Sequence, residues 1–351
     1  MASHAIQIKN LYKIFGPRGR DYVDQVKNGL GKQELNVKHG HVLGLQDINI
    51  DMPAGAITVV MGLSGSGKST LIRHINRLID PTAGEVLYDD IDVCKMSESD
   101  LREFRRHKTA MVFQKFALLP HRTVIENTIY GLQIQGVGRA EAEKKGRHWI
   151  ARVGLDGFEN HFPNQLSGGM QQRVGLARAL TNDADILLMD EAYSALDPLI
   201  RVDMQGVLLD LQKELKKTVV FITHDLDEAL RLGDKIAILR DGKVIQQGSG
   251  QDIVLKPADD YISAFVKEVN RGRVIKVETV MKPISGEGTS MRIPGDMTLE
   301  MAAREMTGAN QTLAMVVDGN GKPVGALDLH SIISAMVTPT SHEVTEAKAA
   351  A

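Results

Sequence analysis

One cysteine, one tryptophan and no excess of positive charge mark this chain of 351 residues. A single thiol, Cys94, cannot close an internal disulfide, which fits a reducing compartment; it reads as a small apolar filler, not as a nucleophile. A formal net charge of -2 supplies no basic field of the kind that draws a domain onto nucleic acid. No apolar run approaches the ~20 residues that span a bilayer, and the opening MASHAIQIKN lacks the apolar core of a signal peptide. Long internal repeats are missing as well. What is present is 43% hydrophobic and 25% charged, enough for a full core. The length suits about two domains of ~100–200 residues each. The expectation is a soluble cytoplasmic protein that can sit on a membrane partner.

Several short apolar runs end on a polar residue: AITVVMG before a glycine loop, TAMVFQ at Gln114, DILLMDE at Asp190 and Glu191, and TVVFITH at His224. Runs that are apolar on both faces predict strands buried on both sides, as in a parallel sheet covered by helices. Ligands bind such sheets off the carboxyl ends of the strands, so these four ends form one site if the strands are neighbours. Helix-period text lies between them, as in DPLIRVDMQGVLLDLQKELKK with Pro198 near its start, and the alternation is βαβ. From about 92 to 165 polar helical text predicts a helical insertion, with Trp149 as a packing residue, and 16–46 reads as an elaborated loop.

GLSGSGKST, residues 62 to 70, matches G-x-x-x-x-G-K-[ST] between an apolar run and a helix, the context that a phosphate loop requires. Gly62, Gly65 and Gly67 let backbone N–H groups face phosphate oxygens without a Cβ in the way, with Leu63, Ser64 and Ser66 between them. Lys68 supplies charge to the β- and γ-phosphates, the Ser69 hydroxyl suits Mg²⁺, and Thr70 closes the motif. Asp190, ending a buried strand, suits the Mg²⁺ shell. Glu191, the next carboxylate, can orient or deprotonate an attacking water, which implies hydrolysis. A second cradle, LSGGMQQRVGLARAL, sets Ser167, Gly168 and Gly169 before a helix, yet has no lysine.

In this order and spacing, residues 62–70, LSGGMQQR, ILLMDEAYSALDP and ITHD resemble the nucleotide-binding subunit of an ATP-binding cassette transporter, over nearly all of 6–255. The resemblance implies an α/β fold, a P-loop (RecA-like) ATP-binding cassette with a helical subdomain, binding ATP and Mg²⁺. It also accounts for the lysine-free cradle. In this family two ATPase subunits pack head to tail, so Ser167, Gly168 and Gly169 would close over ATP held by the other subunit's lysine loop. By the same resemblance Gln114 is the loop glutamine that touches Mg²⁺ and the lytic water, and His224 is the switch histidine at the γ-phosphate. Asp197 is the aspartate that passes between subunits. Phe15 is the aromatic that stacks on adenine, with Tyr12 as its rival. Integral-membrane permease subunits and a periplasmic or permease-linked substrate-binding protein are the implied partners. The implied location is peripheral, on the cytoplasmic face of the inner (plasma) membrane. No nucleic acid is expected.

Within the family, VMGLSGSGKST, RLIDPTAGEV, MVFQKFALLPHRTVIENT and DEAYSALDPLIR are similar to the ATPases of importers for glycine betaine, proline betaine, choline or trimethylamine N-oxide. Tyr193 stands where that branch leads one to expect phenylalanine. The alternatives are a soluble non-transport cassette ATPase and a regulatory nucleotide-sensing protein. The cassette is expected over 1–270, a single module over 271–340 and a disordered tail over 341–351. The stretch from about 274 to 337 resembles a CBS domain, β-α-β-β-α. Its Asp328 and Ser331 stand in reversed order relative to that family's ribose-binding pair, which favours pairing with a second copy and sensing of ionic strength or a signalling nucleotide. His39 and His41 in HGH lack the Cys or carboxylate company of a metal site.

Overall fold

The structure, a computed structural model, describes residues 4–114, 116–194, 196–284 and 289–337. The expected tail, 341–351, lies outside the described residues. The chain divides into two compact units, Met1–Gln247 and Gly248–Ala351.

Among the described residues, ten strands build the first unit, the last of them running on to Gly248. They are β1 (His4–Phe15), β2 (Val42–Pro53), β3 (Ile57–Met61), β4 (Ala83–Tyr88), β5 (Ile91–Asp92), β6 (Thr109–Val112), β7 (Ile186–Asp190), β8 (Thr218–Thr223), β9 (Lys235–Arg240) and β10 (Lys243–Gly248). Six of them form one sheet in the order β10-β9-β3-β8-β7-β6. The pairings β9-β3, β3-β8, β8-β7 and β7-β6 are all parallel. Every residue of β3, β7 and β8 is buried, which is why these strands read as continuous apolar runs instead of alternating ones. The order makes the four polar-ended strands consecutive neighbours, the condition set by the sequence reading. Register aligns their ends: Met61 pairs with Thr223, Ile222 with Asp190, and Met189 with Val112.

A second, antiparallel sheet, β2-β1-β4-β5, shares a core with the first. Ile6, Ile8, Ile48 and Ile50 pack in one cluster with Val60, Leu188, Val220 and Ile222. The stretch expected as an elaborated loop, 16–46, instead holds helices Gly19–Tyr22, Val23–Lys27 and Lys32–His39 and the start of β2. Val23, Val26 and Leu35 close a small core with Tyr12, Ile14 and Leu43, and burying these scattered side chains is what orders so polar a stretch. His41 is used structurally there. Its Nδ1 lies 2.6 Å from the His39 carbonyl and its Nε2 2.8 Å from the Pro17 carbonyl.

The span expected as a helical insertion holds helices Glu98–His107, Val124–Thr128, Tyr130–Ile134 and Arg139–Arg152, with β6, the strand expected from TAMVFQ, between the first two. Helix Arg139–Arg152 packs on Gly168–Thr181, and it approaches its other neighbour at Gly146, where a Cβ would come within 2.5 Å of Ile129. Trp149 is half-buried there, its ring 5.2 Å from that of His148. Cys94 packs against the main core, and burial raises its thiol pKa to about 11, leaving little thiolate for nucleophilic work.

In the second unit β11 (Arg292–Pro294), β12 (Leu313–Val317) and β13 (Pro323–Asp328) form a sheet with helices Leu299–Gly308 and Leu329–Val337, the expected β-α-β-β-α order. Asp328 accepts hydrogen bonds from the Ser331 N–H and hydroxyl, both at 2.7 Å, and from Lys282 at 3.0 Å. The Ser331 hydroxyl, then Lys282, holds the Asp328 carboxyl at about 2. A folded pKa below the unfolded one adds stability that is full above the unfolded value and is lost as pH falls through the folded one. Replacing Asp328 by Asn is therefore expected to cost this unit about 1 kcal/mol near neutrality after allowance for solvent screening, with the gap closing towards pH 2. Denaturant unfolding of both proteins across that pH range measures it.

Candidate active site

Gly62 begins the phosphate loop because β3 ends against another strand. Its φ is 151°, and any Cβ there would collide with the Leu239 carbonyl and lie 2.8 Å from Ser66 Oγ. The loop closes on itself through Ser66 N–H to the Leu63 carbonyl at 3.2 Å, and Gly242 N–H donates to Ser66 O at 3.0 Å. Gly67, at φ 104°, starts helix Lys68–Ile75. That places Lys68 on the first turn, only 4% exposed, with its Nζ donating to the Leu63 carbonyl at 3.1 Å. Leu63, Ser64 and Gly65 are exposed, whereas Ser69 and Thr70 are half-buried.

Glu191 follows β7 with φ 45°, a left-handed turn that is uncommon outside glycine and is typical of functional sites. Its carboxylate is the meeting point of the candidate residues. Lys68 Nζ lies 3.5 Å from Oε1, Gln114 Nε2 donates to Oε2 at 3.0 Å, and His224 Nδ1 stands 4.0 Å from Oε1. Gln114 and His224 are exposed while Lys68 is buried, so the carboxylate divides an enclosed cation from an open face.

Asp190, 3% exposed, sets Oδ2 3.3 Å from Arg73 Nη2, while its Oδ1 is buried with no partner among the described residues. Ser66 Oγ is likewise buried and unpartnered. Orphaned buried oxygens are rare because each costs free energy. An oxygen of this kind beside a phosphate loop fits a divalent cation. Arg73 was missed by the sequence reading. Its signal was a basic residue on the phosphate-loop helix, five positions after Lys68.

Phe15 ends β1 and is 40% exposed, with Lys13 Nζ 5.0 Å from its ring centroid. A Cβ on Gly44 would lie 2.7 Å from the Phe15 ring, and one on Gly67 2.9 Å from the Gly44 carbonyl, so the aromatic stands one backbone away from the loop. Tyr12, its rival, is buried among apolar residues and is not available for stacking.

Ser167, Gly168, Gly169 and Asp197 do not join this cluster. They line a different cleft, of about 490 Å³, together with Arg173 and Leu196. Ser167 Oγ accepts from Met170 N–H at 3.3 Å and caps helix Gly168–Thr181, leaving exposed Gly168 and half-buried Gly169 at the positive end of the helix. Within one chain the lysine-bearing and lysine-free cradles are separate sites.

A lysine loop, adjacent carboxylates, a glutamine and a histidine on the ends of neighbouring parallel strands define a nucleotide-hydrolysing cassette. The family profile described as ABC transporter matches residues 45–194, and the CBS domain profile matches 280–338. The chain is 44% identical to the glycine betaine/proline betaine transport system ATP-binding protein ProV of Escherichia coli, over 94% of this chain and 82% of that protein. It is 42% identical to the trimethylamine N-oxide transport system ATP-binding protein TmoW of Pelagibacter ubique, over 95% and 97%. It is 52% identical to the glycine betaine transport ATP-binding protein OpuAA of Bacillus subtilis, over 79% of this chain and 66% of that one. Among solved structures, the dimeric structure of MJ0796, a bacterial ABC transporter cassette, matches with a TM-score of 0.60 and 34% identity, over 70% and 98%. The chain belongs to the ATP-binding subunits of ABC transporters, and it binds and hydrolyses ATP to power transport.

Because a Cβ at Gly62 would collide with the Leu239 carbonyl, Gly62→Ala is expected to displace the loop and weaken ATP binding roughly tenfold or more. Titration with a fluorescent ATP analogue reads this directly.

Proposed function

We propose that this subunit drives uptake of a quaternary-amine osmolyte, of the glycine betaine, proline betaine, choline or trimethylamine N-oxide class, through separate integral-membrane permease subunits. The observation that carries the ATPase half of the reading is the Glu191 carboxylate facing Lys68, Gln114 and His224 at once. The names of the relatives carry the choice of solute class.

In this reading the N–H groups from Gly62 to Thr70 hold the β- and γ-phosphates, Lys68 turns from Glu191 to the phosphates, and Phe15 stacks on adenine. Asp190, Ser69 and Gln114 would hold Mg²⁺, which when bound neutralises charge on the β- and γ-phosphates. Glu191, freed from Lys68, orients water and accepts its proton, while Gln114 fixes the water and His224 meets the γ-phosphate. Ser167, Gly168, Gly169 and Asp197 act on nucleotide bound to the lysine loop of a second subunit, so the working form is a head-to-tail homodimer. The separation of the two cradles within one chain supports this, as does the resemblance to a dimeric cassette. A substrate-binding protein, periplasmic or linked to the permease, selects the solute. The subunit sits peripherally on the cytoplasmic face of the inner membrane; among the described residues no helix is long and apolar enough to cross one. We further propose a cassette over 1–270 and a C-terminal module over 271–340 that pairs with its counterpart and senses ionic strength or a signalling nucleotide.

Glu191→Gln keeps the shape but not the basicity, so turnover is expected to fall by about 10²- to 10⁴-fold while an ATP-bound dimer accumulates in size-exclusion chromatography. Turnover at the native rate would remove Glu191 from its role. In mixed dimers carrying one Ser167→Ala subunit, the impaired site is expected to be the one whose lysine loop belongs to the unmutated subunit. The importer reading is tested by ATPase activity of the complex with its permease in liposomes, offered glycine betaine, proline, choline or trimethylamine N-oxide with the matching binding protein. Stimulation by one solute names the cargo, and a rate indifferent to all of them refutes the reading.

A further inference from the structure

Helix Pro198–Leu215 leaves the Leu196–Asp197 turn, which lines the lysine-free cleft, and two of its polar side chains reach the segment that follows β8. Arg201 Nη1 lies 3.2 Å from Asp225 Oδ2, and its Nη2 donates to the Leu196 carbonyl at 3.4 Å. One turn on, Gln205 Nε2 donates to Glu228 Oε1 at 3.0 Å, and both of these side chains are buried. On the side of β7, the Tyr193 hydroxyl donates to the Met204 carbonyl at 3.3 Å, a bond that phenylalanine at this position could not make.

His224 stands within this frame. Its neighbour Asp225 uses both carboxylate oxygens: Oδ1 accepts from Glu228 N–H at 3.1 Å and caps helix Leu226–Leu232, while Oδ2 faces Arg201. Asp225 N–H donates to Thr223 Oγ1 at 3.0 Å. The histidine ring itself reaches only as far as Glu191, at 4.0 Å. Its placement is therefore set by Asp225, and Asp225 is tied through one guanidinium to the Leu196 carbonyl.

We infer that Arg201 is a positioning residue that makes the place of His224 depend on the Leu196–Asp197 turn, so that occupation of the lysine-free cleft is transmitted to the histidine of the same chain. The inference rests on the proposed roles of His224 and the cleft. Two physical features point to this role rather than to simple support. The Arg201 and Asp225 side chains are 26% and 34% exposed, so water still reaches the pair and its contribution to stability is modest. The guanidinium bridges a carboxylate and a carbonyl at once, a fork that lysine cannot reproduce.

The test compares Arg201→Ala, Arg201→Lys, His224→Ala and the Arg201→Ala/His224→Ala double variant in the full chain bound to its permease. Single-turnover hydrolysis keeps slow rates readable. Arg201→Ala is expected to slow hydrolysis about tenfold, with ATP affinity within about twofold and the melting midpoint within about 2 °C of the parent. Arg201→Lys should recover only part of the rate. The double variant should be no slower than His224→Ala, because a residue acting through His224 has nothing left to position. Arg201→Ala within twofold of the parent rate, a further tenfold loss in the His224→Ala background, or a loss of rate matched by loss of ATP affinity or of melting midpoint would each overturn the inference. If His224→Ala and Glu191→Gln both kept the native rate, the active-site reading itself would fall. If both lost it while Arg201→Ala did not, only the role of Arg201 would.

Discussion

The pairing of a buried Lys68 with Glu191 is the interaction on which the rest of the cassette depends. An ammonium group that is 4% exposed and a carboxylate that is 18% exposed have given up much of their hydration, and attraction at 3.5 Å offsets only part of that. Such a pair is poor evidence for stability and good evidence for a site that exchanges partners. A polyphosphate carries more negative charge than one carboxylate, so it would compete with Glu191 for the Lys68 ammonium. The left-handed turn at Glu191 and the Asp190 Oδ1 that has no hydrogen-bond partner among the described residues stand beside this pair.

That placement is possible because four strands end side by side. In a parallel sheet the carboxyl ends fall on one edge, and the register of β3, β8, β7 and β6 brings the loops after Met61, Thr223, Asp190 and Val112 together. Burial on both faces makes a slip of register expensive, since it would move a whole set of apolar contacts. The antiparallel sheet contributes Phe15 and the tight contacts at Gly44 that hold it beside Gly67. Helix Pro198–Leu215 braces the segment after β8 with its Arg201 and Gln205 side chains and takes the Tyr193 hydroxyl, after β7, on its Met204 carbonyl.

The lysine-free cradle gives the molecule its second constraint. A helix N-terminus capped by Ser167 and opened by two glycines offers N–H groups and dipole, but within its own chain it meets only a cleft shared with Asp197 and Arg173. Within one chain, then, the lysine-free cradle lines a cleft of its own, apart from the cluster around Lys68 and Glu191. In the second unit the reversed Asp328 and Ser331 pair is closed on itself and capped by Lys282, so the carboxylate is occupied in fixing its own helix.

The phosphate loop, the adjacent carboxylates, the buried strands and the βαβ order were legible in the chain itself, because each depends on local chemistry: glycine where φ is positive, unbroken apolar runs where both faces are covered, a capping serine before a helix. The β-α-β-β-α order of the C-terminal module was legible for the same reason. Other features are relations between distant residues and needed the folded chain. The three helices within 16–46 are ordered by apolar side chains scattered through polar text. Arg73 reaching Asp190, Tyr12 turning inward while Phe15 stays open, and Arg201 joining Leu196 to Asp225 all depend on which surfaces meet. Residue type and short-range spacing settle which groups can bind phosphate or move a proton. Which of them share a carboxylate is decided only when non-adjacent strands pair and bring Lys68, Gln114 and His224 to Glu191.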